Sequence, residues 1–65
     1  MAQKTERAVL NHLIETCRDA ERGFRLAAGE VKAPELKRLF FRLAEQRRHF
    51  ATELLPYALR LGGAQ

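Results

Sequence analysis

The stretch Gly29-Glu30-Val31-Lys32-Ala33-Pro34-Glu35-Leu36 decides how the chain folds. Proline lacks the N–H that a helix interior needs, but at the first helical position that donor would have no partner anyway. Pro34 therefore starts a helix, and its ring pushes the residue before it out of helical conformation. Lys32-Ala33 reads as a turn between a first helix over about residues 5–31 and a second over about 34–61. Gly62-Gly63 closes the second segment with the left-handed cap that glycine adopts at little cost.

Working outward from the turn, Leu10, Ile14, Cys17, Glu21, Phe24, Ala28 and Val31 recur at alternating steps of four and three. Leu36, Phe40, Leu43, Arg47, Phe50, Leu54, Tyr57 and Leu61 repeat that rhythm. Such steps keep one stripe of a helix against a neighbour at a shallow crossing angle. Folding back at Ala33-Pro34 sets Val31 beside Leu36, Phe24 near Leu43 and Leu10 near Tyr57. The sequence carries no strand-like alternation, and the expected fold class is all-α, an antiparallel two-helix hairpin with these two seams as its core.

The chain has 65 residues, 46% of them hydrophobic and 31% charged. That is too apolar for a disordered tail and too often interrupted by charge for a membrane span. A chain this short buries little apolar surface alone, and a single cysteine, Cys17, excludes an internal disulfide, so self-association is the remaining route to stability. Leu13, Ala20 and Ala27 on one helix and Ala44, Ala51 and Ala58 on the other widen the apolar face beyond what two helices cover. Two hairpins are expected to pair as a homodimer into a ferritin-like four-helix bundle, with those six residues as the dimer seam.

One layer breaks the apolar rule in both helices: Glu21 falls opposite Arg47. An unpaired charge on the seam is costly, so the expectation is a register-setting ion pair, with a site role as the alternative. Gly23 and Gly29 each cost about 1 kcal/mol relative to alanine inside a helix. Gly23, next to Phe24, reads as room for a neighbouring aromatic, and Gly29 as fraying before the turn. Pro56 clashes with the carbonyl of Thr52 and predicts a kink or break near Leu55. Phe41 and Leu55 lie off the seam.

For chemistry the residues offer little. A di-metal bundle needs inward glutamates and a Glu-x-x-His step. Glu21 points inward, but Arg48 stands three residues after Glu45, and Gln46 precedes His49 where the step needs glutamate. His12 and His49 project from the seam, and Arg38, Arg42, Glu45 and His49 form a charge-mixed outer face. Cys17 sits on the apolar seam with no histidine phased to activate it, and there is no glycine-rich phosphate loop. The net charge of +4 comes from 12 Lys+Arg against 8 Asp+Glu that are interleaved, so neither a nucleic-acid stripe nor a membrane partner is expected. Met1-Ala2-Gln3-Lys4-Thr5 is followed by no signal-peptide core, and a lone cysteine suits a reducing compartment, which makes the cytoplasm the expected location.

The run Leu13-Ile14-Glu15-Thr16-Cys17-Arg18-Asp19-Ala20-Glu21-Arg22-Gly23-Phe24 resembles an uncharacterised bacterial family, as do Val31-Lys32-Ala33-Pro34-Glu35-Leu36-Lys37, Ala44-Glu45-Gln46-Arg47, Phe50-Ala51-Thr52-Glu53-Leu54 and Leu61-Gly62-Gly63. That family, a domain of unknown function common in pseudomonads and other proteobacteria, has a ferritin-like four-helix bundle. The resemblance implies that Glu21, Gly23, Phe24 and Arg47 stand at characteristic positions, and that the chain corresponds to the N-terminal half of the usual domain. The family commonly has Asp where Ala33 stands, so the second helix starts without a side-chain cap. A more distant likeness is to encapsulated ferritins, hairpins that pair around iron, with Gln46 and His49 near their Glu-x-x-His step. The expected function is a non-enzymatic, self-associating structural or protein-interaction module without cofactors, with stress physiology among the implications of the resemblance. The alternative is an iron-binding protein that uses Glu21, Glu45 and His49 across the dimer.

Overall fold

The computed structural model describes residues 2–62, with side chains from residue 5 onward. Two helices, α1 (Ala2–Glu30) and α2 (Pro34–Arg60), fold back on each other through a three-residue turn, giving a hairpin 48 Å long and 16 by 14 Å across. The turn satisfies its backbone groups locally. The Val31 N–H closes α1 on the Ala27 carbonyl at 3.1 Å, and the extended Ala33 (φ −68, ψ 124) offers its carbonyl to the N–H groups of Leu36 and Lys37, both at 3.1 Å. Ala33 provides no side-chain cap. The carbonyls at the end of α1 need donors from elsewhere, and the Lys37 ammonium, one turn into α2, donates to the Ala28 carbonyl at 2.9 Å. It brings positive charge to the negative end of the α1 dipole.

At the far end the Leu61 N–H reaches the Ala58 carbonyl at 3.1 Å and the Gly62 N–H reaches Leu59 at 2.9 Å. Gly62 has φ +74, the left-handed cap conformation that only glycine enters without strain. Gly63 lies outside the described residues.

The interior is a line of small side chains. Ala44, Ala51 and Ala58, spaced by seven, are buried on α2, as are Ile14 and Ala28 on α1, and Ile14 clusters with Ala51 and Ala58. Leu10, Cys17, Leu54 and Leu55 pack around the cluster of Ile14, Ala51 and Ala58, and Phe24 stacks on Phe40 with ring centroids 6.2 Å apart. This corrects the expected phasing. The contact line of α2 is displaced from the Leu36, Leu43, Phe50, Tyr57 positions to those one residue later, which moves Ala44, Ala51 and Ala58 from an outer seam to the hairpin's own interior. Leu36, Phe50 and Tyr57 are exposed instead. The physical reason is that methyl groups let two backbones approach closely, so bulky side chains are displaced to the edges of the contact. Among the described residues no large side chain is fully buried.

Pro56 does not break α2, which runs unbroken to Arg60. Pro56 is exposed, so the carbonyl that loses its donor faces water, while packing of Leu54, Leu55 and Ala58 on either side holds the helix. A Cβ built at Gly23 or Gly29 meets nothing within 4 Å, so the expected aromatic neighbour at Gly23 is absent from the hairpin. Gly23→Ala is therefore expected to stabilise the fold by about 1 kcal/mol through helix propensity alone. Chemical denaturation checks this, and a loss of stability would reveal a neighbour packed against Gly23 that the hairpin does not contain.

Candidate functional site

The two sides of the hairpin differ in chemistry, and the difference follows from position relative to the contact line. Ile14, Glu21 and Ala28 on α1 and Lys37, Ala44, Ala51 and Ala58 on α2 each recur at steps of seven and turn toward the opposite helix. One residue earlier on each helix stand Leu13, Ala20 and Ala27, and Leu36, Leu43, Phe50 and Tyr57. A step back of one residue is a turn of about 100° around the helix axis. Because the helices run antiparallel, the same step brings both rows to the same side.

That side is apolar. Leu13 and Leu36 are each 42% exposed, Phe50 41% and Tyr57 55%, and Ala20, Ala27 and Leu43 lie half-buried between them. At its centre the Arg47 guanidinium carbon sits 5.8 Å from the Phe50 ring centroid, with a buried Nε that has no hydrogen-bond partner among the described residues. Arg60 lies over Tyr57 at 4.8 Å. Both contacts spread alkyl stems and rings across the side instead of projecting charge from it.

The opposite side is held by a charged network. Glu21, with a side chain only 20% exposed, accepts from Arg25 Nε at 3.0 Å and Nη2 at 2.7 Å, and the same Nη2 crosses to Glu45 at 2.8 Å. Arg48 adds bonds to the other Glu45 oxygen at 3.1 and 3.0 Å. Hydrogen bonding from Arg25 first, and from Arg48 second, holds the Glu45 carboxyl below its ordinary range, and the Arg25 guanidinium is correspondingly harder to deprotonate. A carboxyl lowered on folding stabilises the hairpin above the ordinary glutamate range, and the contribution is lost as pH falls through its depressed value. Since Glu45 is exposed, solvent screens the bond, which acts as a clasp across the helices more than as a large source of stability.

These contacts correct the expected Glu21–Arg47 layer. Glu21 pairs with Arg25, four residues on along the same helix, where the reach is short and little side-chain freedom is lost. Arg47 turns to Phe50 on the other side. Of the three residues considered as metal ligands, Glu21 and Glu45 do come together, but a guanidinium occupies the place between them. His49 stands apart, 68% exposed and 3.0 Å from Glu53. Among the described residues of one hairpin no three His, Cys, Asp or Glu side chains gather as metal ligands would. Sequence reasoning missed Arg25 and Lys37; the Glu21-x-x-x-Arg25 step was the signal for the first, whereas Lys37 acts across the turn and leaves no local pattern. Asp19 and Arg22 pair on the exposed outer face beside Glu15 and Arg18, where a shallow polar depression of about 280 Å³ lies open to solvent.

A family model described as "Domain of unknown function (DUF2383)" matches residues 5–65. No curated protein and no solved structure matches the chain. No described helix is long and apolar enough to cross a membrane.

The separation of the two arginines has a testable consequence. Arg47→Leu removes a buried donor that lacks a partner and is expected to stabilise the protein, on the order of 1 kcal/mol. Arg25→Ala leaves the half-buried Glu21 without its partner and releases the clasp to Glu45, and is expected to lower the melting temperature. Thermal unfolding of both variants checks this, and destabilisation by Arg47→Leu would return Arg47 to the pairing expected from the sequence.

Proposed function

The chain belongs to the DUF2383 family, and we propose that it is a non-enzymatic self-association module whose apolar side is covered by a second copy of itself, completing a four-helix bundle. The observation that carries this is the row Leu36, Leu43, Phe50 and Tyr57 beside Leu13, Ala20 and Ala27, a largely apolar side left open by a hairpin whose described residues bury only alanines and one isoleucine. Surface area supports it. The hairpin exposes 4957 Å². A compact monomer of 7.5 kDa is expected to expose about 4,250 Å². The excess of about 700 Å² is close to the ~800 Å² that each partner buries in an interface of standard size.

In this function the charged side stays in water, where Arg25 and Arg48 clasp the helices through Glu45, and the apolar side associates. The module needs no cofactor or bound metal and works in the cytoplasm, where the half-buried thiol of Cys17 remains reduced. Its contribution to the cell is structural: it joins two chains, or two copies of whatever carries it.

Light scattering over a concentration series tests the proposal, expecting twice the chain mass at micromolar concentration, unchanged by ferrous iron. Phe50→Glu sets a charge in the middle of the row and is expected to shift the equilibrium to monomer by more than tenfold. A monomeric wild-type protein would overturn the proposal, and mass that doubles only with iron would replace it with a metal-assembled dimer.

A further inference from the structure

The apolar side carries more than a capacity to associate; its two halves differ in size in a way that selects one orientation of the second copy. On α1 the row is Leu13, Ala20, Ala27, small over most of its length, and the neighbouring Gly23 adds no side chain. On α2 the row is Leu36, Leu43, Phe50, Tyr57, large throughout. A hairpin pairing face to face with a copy of itself has two symmetric choices. A twofold axis across the helices sets α1 on α1 and α2 on α2, with the turns at opposite ends. A twofold axis along the helices sets α1 of each copy on α2 of the other, with both turns at the same end.

The first choice puts the small α1 row against itself, leaving a void, and the large α2 row against itself, with Leu43 of one copy facing Phe50 of the other about a central axis, which forces those helices apart. The second puts small against large at Ala20 and Ala27. Heights are preserved by an axis parallel to the helices, so levels within the hairpin carry over to the contact between copies. Within the hairpin Phe24 is level with Phe40, and Ile14 packs with Ala51. On that scale Ala27 of one copy falls within two residues of the level of Leu36 of the other, Ala20 of Leu43, and Leu13 of Phe50. Ala27 and Ala20 thus leave room opposite Leu36 and Leu43, the small-against-large contact that close packing allows.

We propose that two copies pair with their Ala33-Pro34 turns at the same end, α1 of each against α2 of the other, so that the Ala20 and Ala27 positions receive the Leu43 and Leu36 side chains of the second copy, respectively. This rests on the self-association proposed above and adds its geometry. It also assigns Ala20 and Ala27 a role as receiving sites, since a larger side chain there would clash with the second copy while leaving the hairpin itself intact.

The test is a distance between spin labels in the full chain. Cys17→Ser removes the native thiol, and Lys32→Cys provides a labelling site at the exposed turn. With helices packed 8–10 Å apart, turns at the same end place the two labels about 20–30 Å apart. Turns at opposite ends would separate them by nearly the 48 Å length of the hairpin. A short distance, together with loss of association in Ala20→Phe and retained helix content, supports the proposal. A distance near the hairpin length would overturn the orientation while leaving self-association standing. No coupling between labels and a monomeric mass would overturn both.

Discussion

The close approach of α1 and α2 over Ala44, Ala51 and Ala58 is the constraint from which the rest of the structure follows. Three methyl groups at steps of seven make a smooth strip, and Ile14 packs on it at Ala51 and Ala58. Burying methyl groups gains less than burying leucine or phenylalanine side chains. Leu36, Phe50 and Tyr57 are then displaced to one edge of the contact and remain partly in water, while Phe41 and Leu59 are exposed on the other side. A hairpin built this way has good helix–helix contact and a poor hydrophobic core, and it presents its best apolar residues to whatever comes next.

Charge is arranged to leave the edge free. Arg25, Glu45 and Arg48 gather on the opposite side, and Glu21, although it lies on the contact line, sends its carboxylate toward that side to meet Arg25. Arg47 is the exception. Its alkyl stem and guanidinium lie against Phe50, and one of its nitrogens is buried without a partner. A local i,i+4 pair on α1 outcompetes a cross-helix pair with Arg47, because fewer rotatable bonds need to be fixed for the same hydrogen bonds. Register in the hairpin is therefore set by the alanine strip, the Phe24–Phe40 stack and the Arg25–Glu45 clasp.

Much of this was legible in the sequence. Pro34 after Lys32-Ala33 marked the turn, Gly62 marked the end of α2, and the steps of four and three marked two amphipathic helices facing each other. What the pattern did not resolve was phase. The Leu36, Leu43, Phe50, Tyr57 row and the Ala44, Ala51, Ala58 row are adjacent on α2, both apolar and both at steps of seven, and hydrophobicity alone favours the larger residues as core. Packing geometry reverses that preference, because closeness of approach depends on the smallest residues. The same ambiguity carried Arg47 into an imagined polar layer with Glu21. Lys37, which caps α1 from the next helix, depends on the three-dimensional turn and has no signature within its own helix.

If the apolar edge is covered by a second copy, folding and association are one equilibrium, and stability must depend on the amount of protein present. The most direct measurement is thermal unfolding followed by circular dichroism over a thousandfold range of concentration. The melting temperature is expected to rise steadily with concentration, with an unfolding curve that fits dimer to two unfolded chains. A melting temperature independent of concentration over that range would contradict the account, because it would mean that the hairpin is stable with its apolar edge in water.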